Sequence, residues 1–216
     1  MADYPARRTM MVDTQVRPSD VTKFPIIDAM LKTPREAFVP NNLREVAYAG
    51  KNLDIGGRTI LDPRTFSKML DALDIQPGDL VLDIACGLGY SSAVIARLAD
   101  AVVAGESNVD FANDAQTLLV ENGVDNVAVM DGDLAAGAAK HGPYDVVCIQ
   151  GAVETVPDTI LKQLKENGRI AAIFLDGSLG NCKIGHKSGG KVTWRLAFSA
   201  SAPLLTGFER PKVFAL

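Results

Sequence analysis

Residues 81–91 read Val81-Leu82-Asp83-Ile84-Ala85-Cys86-Gly87-Leu88-Gly89-Tyr90-Ser91. A short, continuously apolar run beginning at Leu80 ends on an acid. It passes through a turn with two glycines and opens into a helical stretch over 91–98. Gly87 and Gly89 allow a backbone to approach a ligand with no Cβ in the way. Outward from this unit the same alternation repeats. Apolar runs at 101–105 (ending at Glu106), 127–130, 144–149 and 169–175 alternate with helical patterns at 109–121 and 157–164. The first of these helices stops at Asn122-Gly123 and the second at Asn167-Gly168. Short strands that are apolar throughout, separated by helices, predict a mostly parallel sheet covered on both faces, an α/β fold.

The flanks read differently. Residues 1–76 are mixed and polar, and are expected to form a helical extension that acts as a lid over the acceptor site, with 77–216 as the core of one structural domain. A helix is predicted over 21–31 from Val21, Phe24, Ile27, Met30 and Leu31, and another over 64–73 from Phe66, Met69, Leu70 and Leu73. Pro63 then stands at the start of the second, where its missing N–H is harmless. Residues 176–190, rich in Gly, Ser and Lys, read as a loop or hairpin. Residues 191–200 and 212–215 look like strands with no helix between them, so the sheet should end antiparallel.

The 216 residues carry 22 basic and 26 acidic side chains, a net charge of −4. That excludes nucleic-acid binding by bulk charge, which needs a basic face. Three scattered cysteines (Cys86, Cys148, Cys182) and two histidines (His141, His186) supply neither a disulfide framework nor a zinc site, so no metal is expected. No apolar run approaches the roughly 18 residues a membrane helix needs, and Arg7-Arg8 is followed by no signal-like segment; a cytoplasmic protein is expected.

The acids fix the chemistry. Asp83 closes an apolar strand, where burying a carboxylate is costly unless a charge or hydrogen-bond donors meet it. Glu106, about twenty residues on at the next strand end, suits both ribose hydroxyls of an adenosine. Asp133, at the end of the third strand, can accept from an adenine amino group. A dinucleotide would want Gly-x-Gly-x-x-Gly, and here Ser92 stands at the third glycine; Asp83 would also lie close to the pyrophosphate. S-adenosyl-L-methionine carries no phosphate and bears an ammonium and a sulfonium, so the charges favour it over a nicotinamide cofactor.

Over about residues 10–175 the chain resembles the protein-L-isoaspartate O-methyltransferases. Residues 81–90 are similar to that family's Val-Leu-Glu-Ile-Gly-Thr-Gly-Ser-Gly-Tyr loop. Pro34-Arg35-Glu36-Ala37-Phe38-Val39-Pro40 is similar to its Pro-Arg-x-x-Phe-Val-Pro. Ala47-Tyr48 and Leu53-Asp54-Ile55-Gly56 match its Ala-Tyr and Leu-x-Ile-Gly segments; Gly132-Asp133, Tyr144-Asp145 and residues 164–169 also fit. The resemblance implies a Rossmann-like class I methyltransferase fold with a seven-stranded sheet, and S-adenosyl-L-methionine as cofactor. It places Asp83, Ala85, Gly87, Gly89, Glu106, Ser107, Asp133, Leu134 and Gln150 around that cofactor. The implied reaction is O-methylation of a carboxylate, with isoaspartyl residues of damaged proteins as first acceptor.

The departures concern the acceptor. The family's Gly-Gln-Thr-Ile-Ser-x-Pro reads Gly57-Arg58-Thr59-Ile60-Leu61-Asp62-Pro63 here, so Leu61 replaces the active-site serine and Arg58 the glutamine. Leucine neither donates nor accepts a hydrogen bond. Ala85 replaces the loop's first glycine, and no clear Phe-Val-Pro-Leu ending is present. Thr59, Arg58 and Leu61 are therefore the expected lining of the acceptor site, with Arg58 able to pair with a carboxylate. Two alternatives follow: a different small-molecule or protein acceptor, or a protein that binds S-adenosylmethionine without turnover. Cys86, just before a helix N-terminus, is a candidate for a lowered thiol pKa, set against a simple lining role.

Overall fold

The computed structural model describes residues 3–177 and 179–211. Seven strands form the main sheet: β3 (Leu80–Ile84), β4 (Ala101–Glu106), β5 (Val127–Asp131), β6 (Tyr144–Val153), β7 (Leu164–Asp176), β8 (Leu179–Ser188) and β9 (Lys191–Ser199). A two-residue pair, β1 (Leu53–Asp54) and β2 (Thr59–Ile60), makes a separate hairpin. The sheet order is β5-β4-β3-β6-β7-β8-β9. Its β5-to-β7 portion is parallel and its β7–β8–β9 end antiparallel.

The apolar strands bury both faces, and side chains alternate between two cores as a period of two requires. Val81, Val102, Ala104 and Val146 join one core; Leu82, Val103 and Val147 join the other. The first core is shared with α1 (Tyr4–Met11), α2 (Phe24–Lys32), α3 (Pro63–Leu73) and α4 (Tyr90–Ile95). The second lies against α6 (Asp158–Gln163) and the returning segment with Leu205 and Phe208. Between α4 and α6, α5 (Val109–Glu121) spans the same residues as its pattern, and Asn108 caps it by accepting from the Asp110 and Phe111 amides. Asp62 does the same for α3, accepting from Thr65, with Pro63 in the first turn.

Within the expected helical extension, Tyr4–Met11 form α1, with Asp3 as its cap and Pro5 in the first turn. Two readings need correction in detail. The helix expected over 91–98 is shorter, ending at Ile95. Of the loop or hairpin expected over 176–190, residues 179–188 form a full strand, β8, paired antiparallel with β7 on one side and β9 on the other. The predicted strand at 212–215 lies outside the described residues.

The order of the sheet positions the site. The chain starts at β3, runs outward through β4 to β5, then returns to β6 on the other side of β3. The strand ends of β3 and β6 therefore flank a topological switch point, where open α/β sheets form their binding crevice.

Candidate active site

Asp83, one residue before the end of β3, is fully buried. Ser91 and Ser92, in the first turn of α4, each donate to its Oδ2 at 2.6 Å. Gln150 Nε2, from the neighbouring β6, donates to its Oδ1 at 2.7 Å. Burial raises its pKa from 3.8 to about 6, and the three donors hold it from going higher. In the folded protein Asp83 thus binds its proton more tightly than in the unfolded chain. Its contribution to stability is present below pH 3.8 and is lost as pH rises to about 6. The shift corresponds to about 3 kcal/mol. Asp83→Asn should remove this component, so urea denaturation of wild type and variant across that window should diverge, with the variant gaining in relative stability towards neutral pH.

The turn after Asp83 is left-handed at three points: Ala85 (φ 65°), Gly87 (φ 56°) and Gly89 (φ 91°). Ala85 carries a side chain in a conformation that costs a non-glycine residue about 1–2 kcal/mol. At Gly87 a Cβ would stand 3.1 Å from Ile55 Cδ1 and 3.6 Å from Arg58 Cβ, so the β1–β2 hairpin lies directly on this loop.

Glu106, at the end of β4, is also fully buried. Its Oε2 accepts from the Gly87 amide at 2.9 Å, and its Oε1 from the amides of Ser107 and Asn108 at 2.7 and 2.9 Å. Arg58 forks onto the same carboxylate through Nε (2.9 and 3.0 Å) and Nη2 (2.8 Å), and Nη2 also donates to Ser107 Oγ at 2.5 Å. Arg58, expected in the lining of the acceptor site, thus reaches Glu106 instead and is not among the residues lining the cavity with Thr59 and Leu61. Asp133 is exposed, its Oδ1 taken by the Ala135 amide, while Leu134 is buried. With Met130, Gly132 and Ile84 they line a cavity of about 20 Å³ at the ends of β3 to β5.

A second cavity, of about 10 Å³, lies on the other side of the glycine loop. Thr59, Leu61, Phe66, Cys86, Tyr90 and Gln150 are among its lining. Each cavity has room for about one water. Burial, with Asp83 and Glu106 nearby, holds the Cys86 thiol well above its ordinary pKa, so the helix N-terminus does not activate it and the lining role stands. Among the described residues no His/Cys/Asp/Glu cluster could hold a metal ion, and no helix is long and apolar enough to cross a membrane.

The structure brings Thr59, Leu61, Asp83, Ala85, Gly87, Glu106 and Gln150 around one loop. Sequence reasoning missed the roles of Ser91 and Ser92. It also missed Arg35, fully buried, whose Nε and Nη2 donate to the carbonyls of Ala47 (2.7 Å) and Leu61 (2.9 Å). The Arg35 guanidinium lies 4.6 Å from the centre of the Tyr90 ring. Its signal was present in the Pro34–Pro40 motif, without a physical reason attached.

The sequence profile described as Protein-L-isoaspartate(D-aspartate) O-methyltransferase matches residues 7–191. The chain belongs to this family. The protein-L-isoaspartate O-methyltransferase of Methylorubrum extorquens (strain PA1) is 37% identical over 169 residues, 78% of this chain and 74% of the relative. That of Methanoculleus marisnigri is 37% identical over 166 residues, 76% of each. A solved protein-L-isoaspartate O-methyltransferase superposes with TM-score 0.82 at 25% identity, covering 93% of this chain and 66% of that longer one. A Plasmodium falciparum structure described as a putative protein-L-isoaspartate O-methyltransferase, in complex with S-adenosyl-L-homocysteine, shares the fold at TM-score 0.79 and 15% identity over 95% of this chain and 99% of its own.

Proposed function

We propose that the protein uses S-adenosyl-L-methionine to methylate a carboxylate oxygen, with isoaspartyl side chains of damaged proteins as first acceptor. The observation that carries this reading is Glu106: a fully buried carboxylate at the end of β4, beside a loop whose left-handed residues leave no Cβ at Gly87 and Gly89. Its geometry suits a ribose diol. Asp83 Oδ1 takes a single side-chain donor and keeps acceptor capacity for a cationic methionine moiety. Gly105 and Leu134 border the cavity assigned to the adenine. When bound, the cofactor supplies a methyl group already activated on a sulfonium.

What remains for the chain is alignment and exclusion of water. An ionised carboxylate needs no general base. Thr59 and Leu61 line the cavity on the acceptor side, and Arg58 immediately precedes β2 in the chain. The Thr59 hydroxyl is assigned to the acceptor oxygen and Leu61 to its apolar wall; Arg58 is the cation within the same hairpin. Transfer of labelled methyl to an isoaspartyl peptide and to its aspartyl twin tests the reading: selective labelling of the first supports it.

Leu61 sharpens the test. Leu61→Ser adds a hydroxyl where the wall is apolar, and one hydrogen bond to a charged group is worth about 1.5–3 kcal/mol. The variant should therefore raise kcat/KM for the isoaspartyl peptide at least about tenfold, while losing about 3 kcal/mol of stability with its buried leucine. A second reading rests on the same residue: the wall of Leu61, Phe66 and Tyr90 suits a less polar acceptor. Cofactor binding without transfer to the peptide, in wild type and Leu61→Ser alike, would favour it.

A further inference from the structure

We propose that Arg58 is an internal competitor for the ribose carboxylate, so that the cofactor enters by displacing it and the acceptor pocket is completed only afterwards. This rests on the assignment of Glu106 to the cofactor's ribose.

A carboxylate offers about four lone-pair positions. Three donors to Glu106 are backbone amides, those of Gly87, Ser107 and Asn108, and belong to the turns that build the site. Arg58 adds two more donors, Nε and Nη2, so the carboxylate already accepts beyond that number. Ribose hydroxyls would have to meet the same two oxygens, so the guanidinium and the ribose compete for them. Shape agrees: the cavities on either side of the loop, about 10 and 20 Å³, are far below the several hundred Å³ of a nucleoside-sized site. The hairpin carrying Arg58 is what closes the space over Gly87.

The hairpin is anchored by Leu53, Ile55 and Ile60, which are buried in the core, while its tip is lightly held. Its two strands hold only two residue pairs, Leu53 with Ile60 and Asp54 with Thr59. Its tip is folded on itself, with the Gly56 and Gly57 amides on Asp54 Oδ1 and Arg58 Nη1 on the Gly57 carbonyl. Gly56 and Gly57 are left-handed, with nothing within 4 Å of where a Cβ would stand, so the tip has open space above it. Its only side-chain ion pair into the body of the protein, among the described residues, is Arg58 to Glu106. Exchange on Glu106 releases that pair. Thr59 follows Arg58 directly and Leu61 lies two residues further on, so the displacement reaches the wall of the acceptor cavity. Binding is then ordered, cofactor before acceptor.

Titration calorimetry with S-adenosylhomocysteine on the full chain, wild type against Arg58→Gln, tests the competition. The variant should bind at least about tenfold more tightly, and without ligand its amides at 56–59 should exchange hydrogen faster. Arg58→Lys, which keeps the charge but not the fork, should fall between, and serves if the glutamine variant does not fold. Equal or weaker binding by both variants overturns the competition, because a cofactor contact or a purely structural role predicts loss or no change. Absence of binding by wild type and both variants overturns the cofactor assignment itself, and the competition with it.

Discussion

Replacing Arg35 by alanine should cost about 4 kcal/mol or more, read as a drop in the urea midpoint at unchanged slope. The side chain is fully buried and, among the described residues, has no carboxylate partner. Its charge is met by two carbonyl oxygens and the face of Tyr90, and its Nη1 has no hydrogen-bond partner. Removing it orphans the Ala47 and Leu61 carbonyls, at about 1–3 kcal/mol each. It also forfeits a desolvated cation–π contact of about 2 kcal/mol. Domains of this kind hold about 5–15 kcal/mol in all, so this is a large fraction. Arg35→Met, which refills the volume, separates the terms. Were the methionine variant as stable as wild type, the cost of burying the guanidinium would equal the return from its contacts, as happens for some buried charges. The expectation is the opposite, because a methionine leaves both carbonyls unpaired. Since one of them belongs to Leu61, the variant should also loosen the acceptor wall and raise KM for the acceptor more than it changes cofactor affinity.

Arg35 shows which parts of the molecule a sequence can disclose. The β3 strand, the glycine turn and α5 were legible because each rests on a local rule: continuous apolarity for a strand buried on both faces, left-handed glycines for the turn, an asparagine cap for the helix. Residues 35–46 form 3₁₀ turns without hydrophobic periodicity. The motif there could be matched to a family pattern, yet the reason for its arginine lies at Leu61, 26 positions away. Arg58 and Glu106 are separated by 48 positions, so the sequence marked Arg58 for an acceptor carboxylate and not for Glu106. The β8 strand was hidden for another reason. Its glycines lower strand propensity, but at Gly185 a Cβ would come within 2.6 Å of Val192 and 2.7 Å of Ile170, so the glycine is there because its neighbours pack against bare backbone. Cys182 and Ile184 meanwhile supply the buried alternation.

Glu106→Gln should reduce affinity for S-adenosylhomocysteine by at least about 100-fold. Two hydrogen bonds from ribose hydroxyls to a carboxylate are lost or weakened, each worth about 1.5–3 kcal/mol, and every 1.4 kcal/mol is a factor of ten. The amide introduces a second penalty. It carries one acceptor and two donors, and must face amide donors from Gly87 on one oxygen position and from Ser107 and Asn108 on the other. One orientation sets its NH₂ against Gly87, the other against Ser107 and Asn108, so the glycine loop itself should open. Combined with Arg58→Gln, this variant gives a cycle with a sharp expectation. If Arg58 acts by occupying Glu106, the gain in affinity from Arg58→Gln should vanish once Glu106 is an amide, and the two effects should be far from additive. If Arg58 instead acted on the cofactor by another route, its effect would persist in the Glu106→Gln background. The cycle reads the interaction between two side chains that touch in the structure, and so assigns the energy of that contact independently of methyl transfer to any acceptor.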